Sequence, residues 1–349
     1  MTQTTGFSAA TRILVGWASF VIVVAGLRAS ASIVIPFLLS AFIAIICAPP
    51  LFWMQRKRVP TALAVITLIL VIIIIGTLLV AFIGTSLSNF TSDLPYYQSQ
   101  ILKKTESMRE FFKGTQIEIP DKILQEYFNP GMALQMVSNT LTGFFGLLTQ
   151  SFLILLTVIF ILFEASGIPA KIRSAIGDPG ASLSGFSRFV KSVNRYLVIK
   201  TVTSLGTGIL IAVFLAILQV DYPLLWGLLA FLLNYVPNIG SIIAAIPAVL
   251  LAFVQFGAGR ALVVILGYLV VNFLVGSVLE PKFMGQGLGL STLVVFLSLV
   301  FWGWVLGPVG MVLSVPLTMI VKIALESNED TKWIAIMLSR ASDARAAGK

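Results

Sequence analysis

Long uncharged runs, separated by short charged segments, dominate the pattern of this chain. Between consecutive charged residues lie the runs 13–27, 29–55, 59–92, 127–163, 201–220, 222–259, 261–279 and 283–321. A helix that crosses a bilayer needs roughly 20 apolar residues, and most of these runs are long enough. The pattern therefore predicts an all-α integral membrane protein.

Lysine and arginine concentrate in three connections, which indicates the cytoplasmic side of the membrane. One is Arg56-Lys57-Arg58, another is the segment 164–200, and the third is the tail after residue 321. Placing all three on one side requires an even number of crossings between them. Two crossings before Arg56, two before the second cluster and four before the tail predict about eight transmembrane segments, with both termini cytoplasmic.

This topology divides the chain into six regions. They are 1–91 with the first three transmembrane segments, 92–141 as an extracytoplasmic amphipathic helical region, 142–165 with the fourth segment, 166–200 as a basic cytoplasmic linker helix at the interface, 201–324 as a C-terminal transmembrane bundle with broken helices, and 325–349 as a cytoplasmic tail. Apolar residues recur at helical spacing after residue 92. A lid or assembly surface and an ordinary packed loop both fit that region.

Composition narrows the chemistry that the chain can perform. Of the 349 residues, 58% are hydrophobic and 11% are charged, and none is histidine. The absence of histidine removes most metal sites and Ser–His–Asp triads. The sequence also lacks a GxxxxGKS or GxxxxGKT phosphate-binding loop. We therefore expect no enzyme, no cofactor and no metal, and the net charge of +9 fits biased membrane loops better than nucleic acid.

Two of the uncharged runs are too long for one straight transmembrane helix. Residues 222–259 and 283–321 would each extend about 57 Å as a helix, nearly twice the roughly 30 Å hydrocarbon thickness. The interruptions are Pro237-Asn238-Ile239-Gly240 and then Pro247 in the first run, and Gly307-Pro308-Val309-Gly310 and then Pro316 in the second. Paired interruptions are typical of broken or re-entrant helices that bind solutes in transporters. We assign them to a substrate pathway, with simple kinks in packed helices as the alternative.

Amide side chains near these breaks supply further candidates for the substrate pathway. Asn234 lies four residues before Asn238, so on one continuous helix the two amides would share a face beside Tyr235. Asn272 lies in a later apolar run, where an amide is costly unless it has a polar partner. These amides are predicted to contact a polar solute.

Two carboxylates lie close to the ends of apolar runs. Ionisable groups at membrane depth are costly and often functional, which makes Glu280 the first candidate for ion coupling and Glu164 the second. Glu280 is followed by Pro281 and Lys282, so a local ion pair at the membrane boundary is the structural alternative.

Several long motifs are specific enough to compare with a known family. They run from Trp226-Gly-Leu-Leu-Ala-Phe through Asn234-Tyr-Val-Pro-Asn-Ile-Gly240 to Ala244-Ala-Ile-Pro247, and continue in Glu280-Pro-Lys-Phe-Met-Gly-Gln-Gly-Leu-Gly-Leu290, Phe301-Trp-Gly-Trp, Gly307-Pro-Val-Gly and Ser314-Val-Pro-Leu. These motifs resemble the autoinducer-2 exporter (AI-2E) family. The similarity extends along nearly the whole chain and includes Ile35-Pro36-Phe37 and Arg58-Val-Pro60.

The resemblance implies a bacterial inner-membrane protein that exports autoinducer-2, a small hydroxylated furanone-derived signal of quorum sensing. It also implies a homo-oligomer, with a pentamer expected. Energy is expected from an ion gradient, with protons or sodium as the candidate ions, or from the solute's own gradient. Some relatives resemble sodium/proton antiporters, so family membership leaves that function open. A structural or assembly protein is the third hypothesis, under which polar substitutions at the breaks would change assembly and leave flux unchanged.

Overall fold

The computed structural model is helical in nearly all the residues that it describes, which are 9–112, 151–165, 167, 171, 179–237, 239–284, 289–326 and 330–339. The helices are α1 (Ala9–Ala29), α2 (Ala31–Arg56), α3 (Thr61–Phe112), α4 (Ser151–Ala165), α5 (Pro179–Ile217), α6 (Pro223–Leu233), α7 (Ile239–Phe256), α8 (Ala258–Asn272), α9 (Glu280–Met284), α10 (Thr292–Glu326) and α11 (Lys332–Met337). A π-helical segment, Phe273–Leu279, joins α8 to α9. No strand occurs in these ranges, and the predicted all-α class is confirmed.

Within the described ranges, six helical segments are long and apolar enough to cross a bilayer. They are Ala31–Arg56, Thr61–Tyr97, Val190–Ile217, Ile239–Phe256, Ala258–Leu279 and Thr292–Glu326, and shorter apolar helices lie at Leu14–Ala29, Ser151–Ala165 and Pro223–Leu233. Large apolar side chains such as Ile22 and Phe160 are exposed, as expected of helices that face lipid. The predicted membrane class agrees with these segments, and the number of eight crossings stays a prediction.

Helix α3 continues far beyond the apolar run that begins it. It contains 52 residues. That length is about 78 Å at the usual helical rise, so the helix extends through the polar segment after Ser92 as far as Phe112. Pro95 lies inside α3 without ending it. The amphipathic helix expected after residue 92 is thus a continuation of the third apolar helix, and 113–141 lies outside the described residues.

The described residues form two compact units. One contains the described parts of 1–48, 153–193 and 289–349, and the other contains those of 49–152 and 194–288. In the second unit, Phe90 of α3 packs edge-to-face against Trp226 of α6, with 5.6 Å between ring centroids. Trp226 is fully buried, and its indole N–H donates to the Asp221 carbonyl at 2.9 Å. This aromatic core fixes α6 against α3.

In the second unit, α6 and α7 form an antiparallel helical hairpin. Helix α6 ends at Leu233, a turn follows, and α7 begins at Ile239. Gln255 near the end of α7 accepts a hydrogen bond through Oε1 from the backbone N–H of Asp221, just before α6, at 3.3 Å. Because this contact joins the two outer ends, the arms run in opposite directions. The break predicted between them is confirmed.

In the first unit, α10 folds back on itself. Its backbone leaves helical geometry at Gly307, where φ is 65°. The indole N–H of Trp302 donates to the Thr318 hydroxyl at 3.0 Å, although 16 residues separate them. A straight helix would place these residues about 24 Å apart, so the arms before and after Gly307 form a second hairpin. The break predicted here is also confirmed.

A glycine in each hairpin lets its two arms approach closely. A Cβ on Gly240 would lie 1.8 Å from the Leu233 carbonyl oxygen, and a Cβ on Gly310 would lie 2.0 Å from that of Trp302. Any side chain at either position would overlap backbone atoms, which only glycine avoids. The similarity between the two sequence breaks thus has a shared structural cause.

The later prolines of the two runs lie inside helices. Pro247 is buried in α7, and Pro316 is buried in the second arm of α10. Each lacks a backbone N–H, so the carbonyl four residues earlier loses its usual helical donor while the helix continues. Each predicted pair of interruptions therefore consists of one chain reversal and one local loss of a hydrogen bond.

Candidate functional site

A buried ion pair joins α5 to the start of α9. The Lys200 ammonium donates to both carboxylate oxygens of Glu280, at 2.9 and 3.0 Å. The two side chains are 5% and 17% exposed, respectively. Withdrawing two charges from water is costly, and the two-point contact offsets part of that cost. An ion pair this deep beside apolar helices is a candidate functional site.

The turn of the α6–α7 hairpin is bonded to α5 beside this ion pair. Asn234 donates from its amide nitrogen to the Ser204 hydroxyl at 3.0 Å. Tyr235 donates from its phenol to the Thr201 hydroxyl at 2.8 Å. Both bonds join side chains, so a rotation of either partner can break them without disturbing a helix. The turn is therefore held to α5 by exchangeable contacts.

Close helix packing sets the position of this turn. Gly208 of α5 lies against Gly227 of α6, where an added Cβ would lie 2.7 Å from the Gly227 carbonyl oxygen. The polar residues of α5 precede this crossing at helical spacing, and Ser204 and Thr207 are almost fully buried. The glycine contact therefore brings α6 close to α5 and places the hairpin turn beside the polar face of α5.

Tyr196 completes the site one turn earlier on α5. It is buried and lies close enough to Glu280 and Tyr235 to interact with both electrostatically. We call this set the tip cluster, and it consists of Tyr196, Lys200, Thr201, Ser204, Asn234, Tyr235 and Glu280. The cluster carries one positive and one negative charge together with hydroxyl, phenol and amide groups. These groups can bind an uncharged solute that has several oxygen atoms.

A separate polar network holds the outer ends of the hairpin to α3. Tyr97 donates to the Asp221 carboxylate at 2.7 Å, and Gln255 also donates to it. The Tyr222 phenol donates to Asp93. Burial, followed by the bond to Asp93, raises the pKa of Tyr222 above its usual value. This network anchors the end of the hairpin that is remote from the tip cluster.

Comparison with known proteins assigns the chain to a family. Residues 17–329 match the family described as AI-2E family transporter. The chain belongs to the AI-2E family. It is therefore a membrane transporter rather than an enzyme, as the sequence predicted.

Three AI-2E relatives are similar along almost their whole length. The chain is 44% identical over 328 residues to the AI-2 transport protein TqsA of Escherichia coli, which covers 94% of this chain and 95% of the relative. It is 42% identical over 338 residues to a protein of Haemophilus influenzae, with 95% and 97% covered. It is 38% identical over 327 residues to YhhT of Escherichia coli, with 93% of each chain covered. The last two are named as transport proteins without a stated solute.

In this AI-2E transporter the predicted site residues do not form one group. Asn234 and Pro237 lie in the α6–α7 turn, and Gly240 and Pro247 lie in α7. Pro308, Gly310 and Pro316 belong to the hairpin of the first unit, and Asn238 lies outside the described residues. Asn272 is half-buried at the end of α8, where the π-helical segment begins.

The structure bears on three details of the sequence prediction. Helix α6 ends at Leu233, so the continuous helix on which the two amides would share a face ends before Asn234, and Asn238 itself lies outside the described residues. Glu280 binds Lys200, which is distant in sequence, rather than Lys282, which is exposed. Glu164, the second coupling candidate, is 53% exposed and pairs with Lys171. Of the two candidates, Glu280 is the more buried, since its side chain is 17% exposed.

Sequence reasoning missed most of the α5 side of the site. Lys200 ends a series of cations and so belongs to the predicted basic cytoplasmic linker, and no predicted role falls on Tyr196 or Ser204. A signal was present, since Thr201, Ser204 and other hydroxyl residues crowd the start of the apolar run 201–220. Hydroxyl groups on one face of an apolar helix indicate partners on a neighbouring helix.

Proposed function

We propose that this transporter exports autoinducer-2, or a similar small polar solute rich in hydroxyl groups, from the bacterial cell. The observation that carries the proposal is the tip cluster, where a hairpin turn presents an amide and a phenol to the hydroxyl groups of α5. Interrupted helices within apolar segments commonly form solute sites in secondary transporters. A relative that is 44% identical is named an AI-2 transport protein, which supports this solute.

Solute hydroxyl groups can replace protein hydroxyl groups in the tip cluster. Asn234 and Tyr235 each bond to a serine or threonine oxygen. A hydroxylated solute offers the same donors and acceptors, so it can take over these bonds when the turn separates from α5. A charged solute would have to displace Lys200 from Glu280, whose charges already satisfy each other. The cluster therefore favours an uncharged solute.

Glu280 is the candidate for ion coupling, with Lys200 as its internal counter-ion. A proton or sodium ion that binds Glu280 would compete with Lys200 and loosen the link between α5 and α9. Because the sequence has no nucleotide-binding loop, the energy comes from an ion gradient or from the solute's own gradient. Sodium/proton antiport is the second candidate function, and the buried Glu280 carboxylate favours it.

The transporter is expected to lie in the inner membrane with eight crossings, cytoplasmic termini and the two hairpins as re-entrant segments. The cationic clusters at Arg56-Lys57-Arg58 and 164–200 support this orientation through the positive-inside rule. A homo-oligomer is expected, with a pentamer as the preferred number. Labelling of Lys349→Cys in a Cys47→Ser background with a membrane-impermeant thiol reagent tests the orientation, since labelling in intact cells would contradict it.

Efflux from proteoliposomes that contain only the purified transporter tests the function. Vesicles are loaded with autoinducer-2 or with sodium, and pH gradients of either sign are imposed. Autoinducer-2 efflux proportional to protein content supports the exporter. Sodium–proton exchange without movement of autoinducer-2 supports the antiporter instead, and transport of neither solute contradicts both functions.

Asn234→Leu is expected to reduce autoinducer-2 efflux about fivefold or more, because it removes an amide that binds the solute. The loss of one hydrogen bond weakens binding by about 1 kcal/mol. Insertion and oligomer size should be unchanged. Asn89→Leu is the matched control, since Asn89 is exposed on α3 and the same substitution there should leave efflux at the wild-type level. Equal efflux from both variants would remove Asn234 from the site, and altered assembly with normal flux would favour the structural hypothesis.

A further inference from the structure

The hydroxyl group of Tyr268 on α8 is buried and has no hydrogen-bond partner among the described residues. Tyr268 is 3% exposed and belongs to the same apolar core as Trp226. Buried tyrosine hydroxyls normally find a partner, because an unpaired polar group away from water is costly. Packing alone does not explain an unpaired hydroxyl here, since phenylalanine would fill the same space without burying a polar group.

An acceptor without its usual donor lies at a similar depth on the neighbouring helix. Pro247 in α7 has no N–H, so the carbonyl of Ile243 lacks its i+4 donor. Helices α7 and α8 meet at Gly257 and pack against each other. Counted from Gly257, Ile243 lies about 21 Å along α7 and Tyr268 about 16 Å along α8. The Tyr268 donor and the Ile243 acceptor therefore lie about one helical turn apart along the helix pair.

A face of small side chains connects this level with the tip cluster. Gly240, Ala244 and Ala248 are buried and follow one another at intervals of four residues, so they share one face of α7. This face begins beside the hairpin turn, where Asn234 and Tyr235 bind α5, and ends beside Pro247. Small residues leave space when neighbouring helices separate, and they offer a moving solute no side chain to displace.

We propose that the Tyr268 hydroxyl and the Ile243 carbonyl form an inner binding station for a hydroxylated solute that has passed the tip cluster. The phenol donates to a solute oxygen, and the carbonyl accepts from a solute hydroxyl. In the conformation described here the Tyr268 hydroxyl has no partner among the described residues, and the Ile243 carbonyl lacks its i+4 donor. The station rests on the proposed function, because it deepens the path of the same solute.

The test compares Tyr268→Phe with Tyr235→Phe by thermal unfolding of the purified full chain in detergent, at increasing concentrations of autoinducer-2. Without solute, Tyr268→Phe should melt at the wild-type temperature or up to about 3 °C above it, because it removes an unpaired buried group. Tyr235→Phe should melt about 2–3 °C lower, because it removes a hydroxyl that is bonded to Thr201. With solute, Tyr268→Phe should need about fivefold more autoinducer-2 for half of the maximal stabilisation.

The possible results distinguish failure of the inner binding station from failure of the proposed export function. A lower melting temperature of solute-free Tyr268→Phe would show that the hydroxyl already has a partner, which overturns the station. Unchanged half-saturation in that variant overturns it as well, while the exporter proposal stands. Failure of autoinducer-2 to stabilise the wild-type chain rejects the proposed solute itself, and the station falls with it.

Discussion

Lys200→Met is expected to destabilise the transporter by about 3–5 kcal/mol, because it leaves the buried Glu280 carboxylate without its counter-ion. Lys200 is 4% exposed, so little water can take the place of the ammonium. Glu280→Gln should have a comparable effect, since it leaves the Lys200 charge unpaired. Unfolding in mild detergent, followed by intrinsic fluorescence, measures the loss.

The double variant Lys200→Met/Glu280→Gln should recover most of that stability, because it removes both charges together. The pair Lys171→Met/Glu164→Gln is the matched control. Its side chains are 71% and 53% exposed. An exposed ion pair contributes little after screening by solvent, so we expect a change of only a few tenths of a kcal/mol there.

Transport by the double variant then separates structure from ion coupling. If Glu280 carries the coupling ion, the stable double variant should show efflux that no longer responds to an imposed pH gradient. Efflux with the wild-type pH response would show that Glu280 does not carry the coupling ion and has a structural role. A Lys200→Met chain as stable as the wild type would show that the ion pair does not hold the tip cluster together.

The chain reversals could be predicted from sequence because their causes are local. An uncharged run of nearly twice the bilayer thickness must turn, and glycine and proline mark where it does. The turns at 234–237 and at Gly307 both follow from that reasoning. The amphipathic spacing after residue 92 likewise predicted helix, although it did not reveal that α3 passes through Pro95 unbroken.

Partners across the fold could not be predicted in the same way. Lys282 is the cation nearest to Glu280 in sequence, yet α5 brings Lys200 to it from 80 residues away. Which cation binds Glu280 depends on how α5 packs. That packing depends on the Gly208–Gly227 contact, which is visible only in three dimensions. The unpaired state of Tyr268 is equally a property of packing, since its neighbours decide whether a donor has a partner.

Gly240→Ala and Gly310→Ala are each expected to abolish most transport and to lower stability by about 1–3 kcal/mol, because the added methyl group must push the hairpin arms apart. The nearest atoms are the carbonyl oxygens of Leu233 and Trp302, at 1.8 and 2.0 Å from the new Cβ. Backbone atoms cannot rotate away as a side chain can. Proteoliposome efflux and the melting temperature in detergent measure the two effects.

Gly84→Ala is the matched control for both glycines. Gly84 lies within α3, and an added Cβ there would meet no atom within 4 Å. Because glycine is a poorer helix former than alanine, this substitution should be neutral or stabilising by up to about 1 kcal/mol. The same chemical change should therefore have opposite signs at the hairpins and on the open helix. Normal efflux from Gly240→Ala would contradict this prediction and would show that transport does not need the close contact between Gly240 and Leu233.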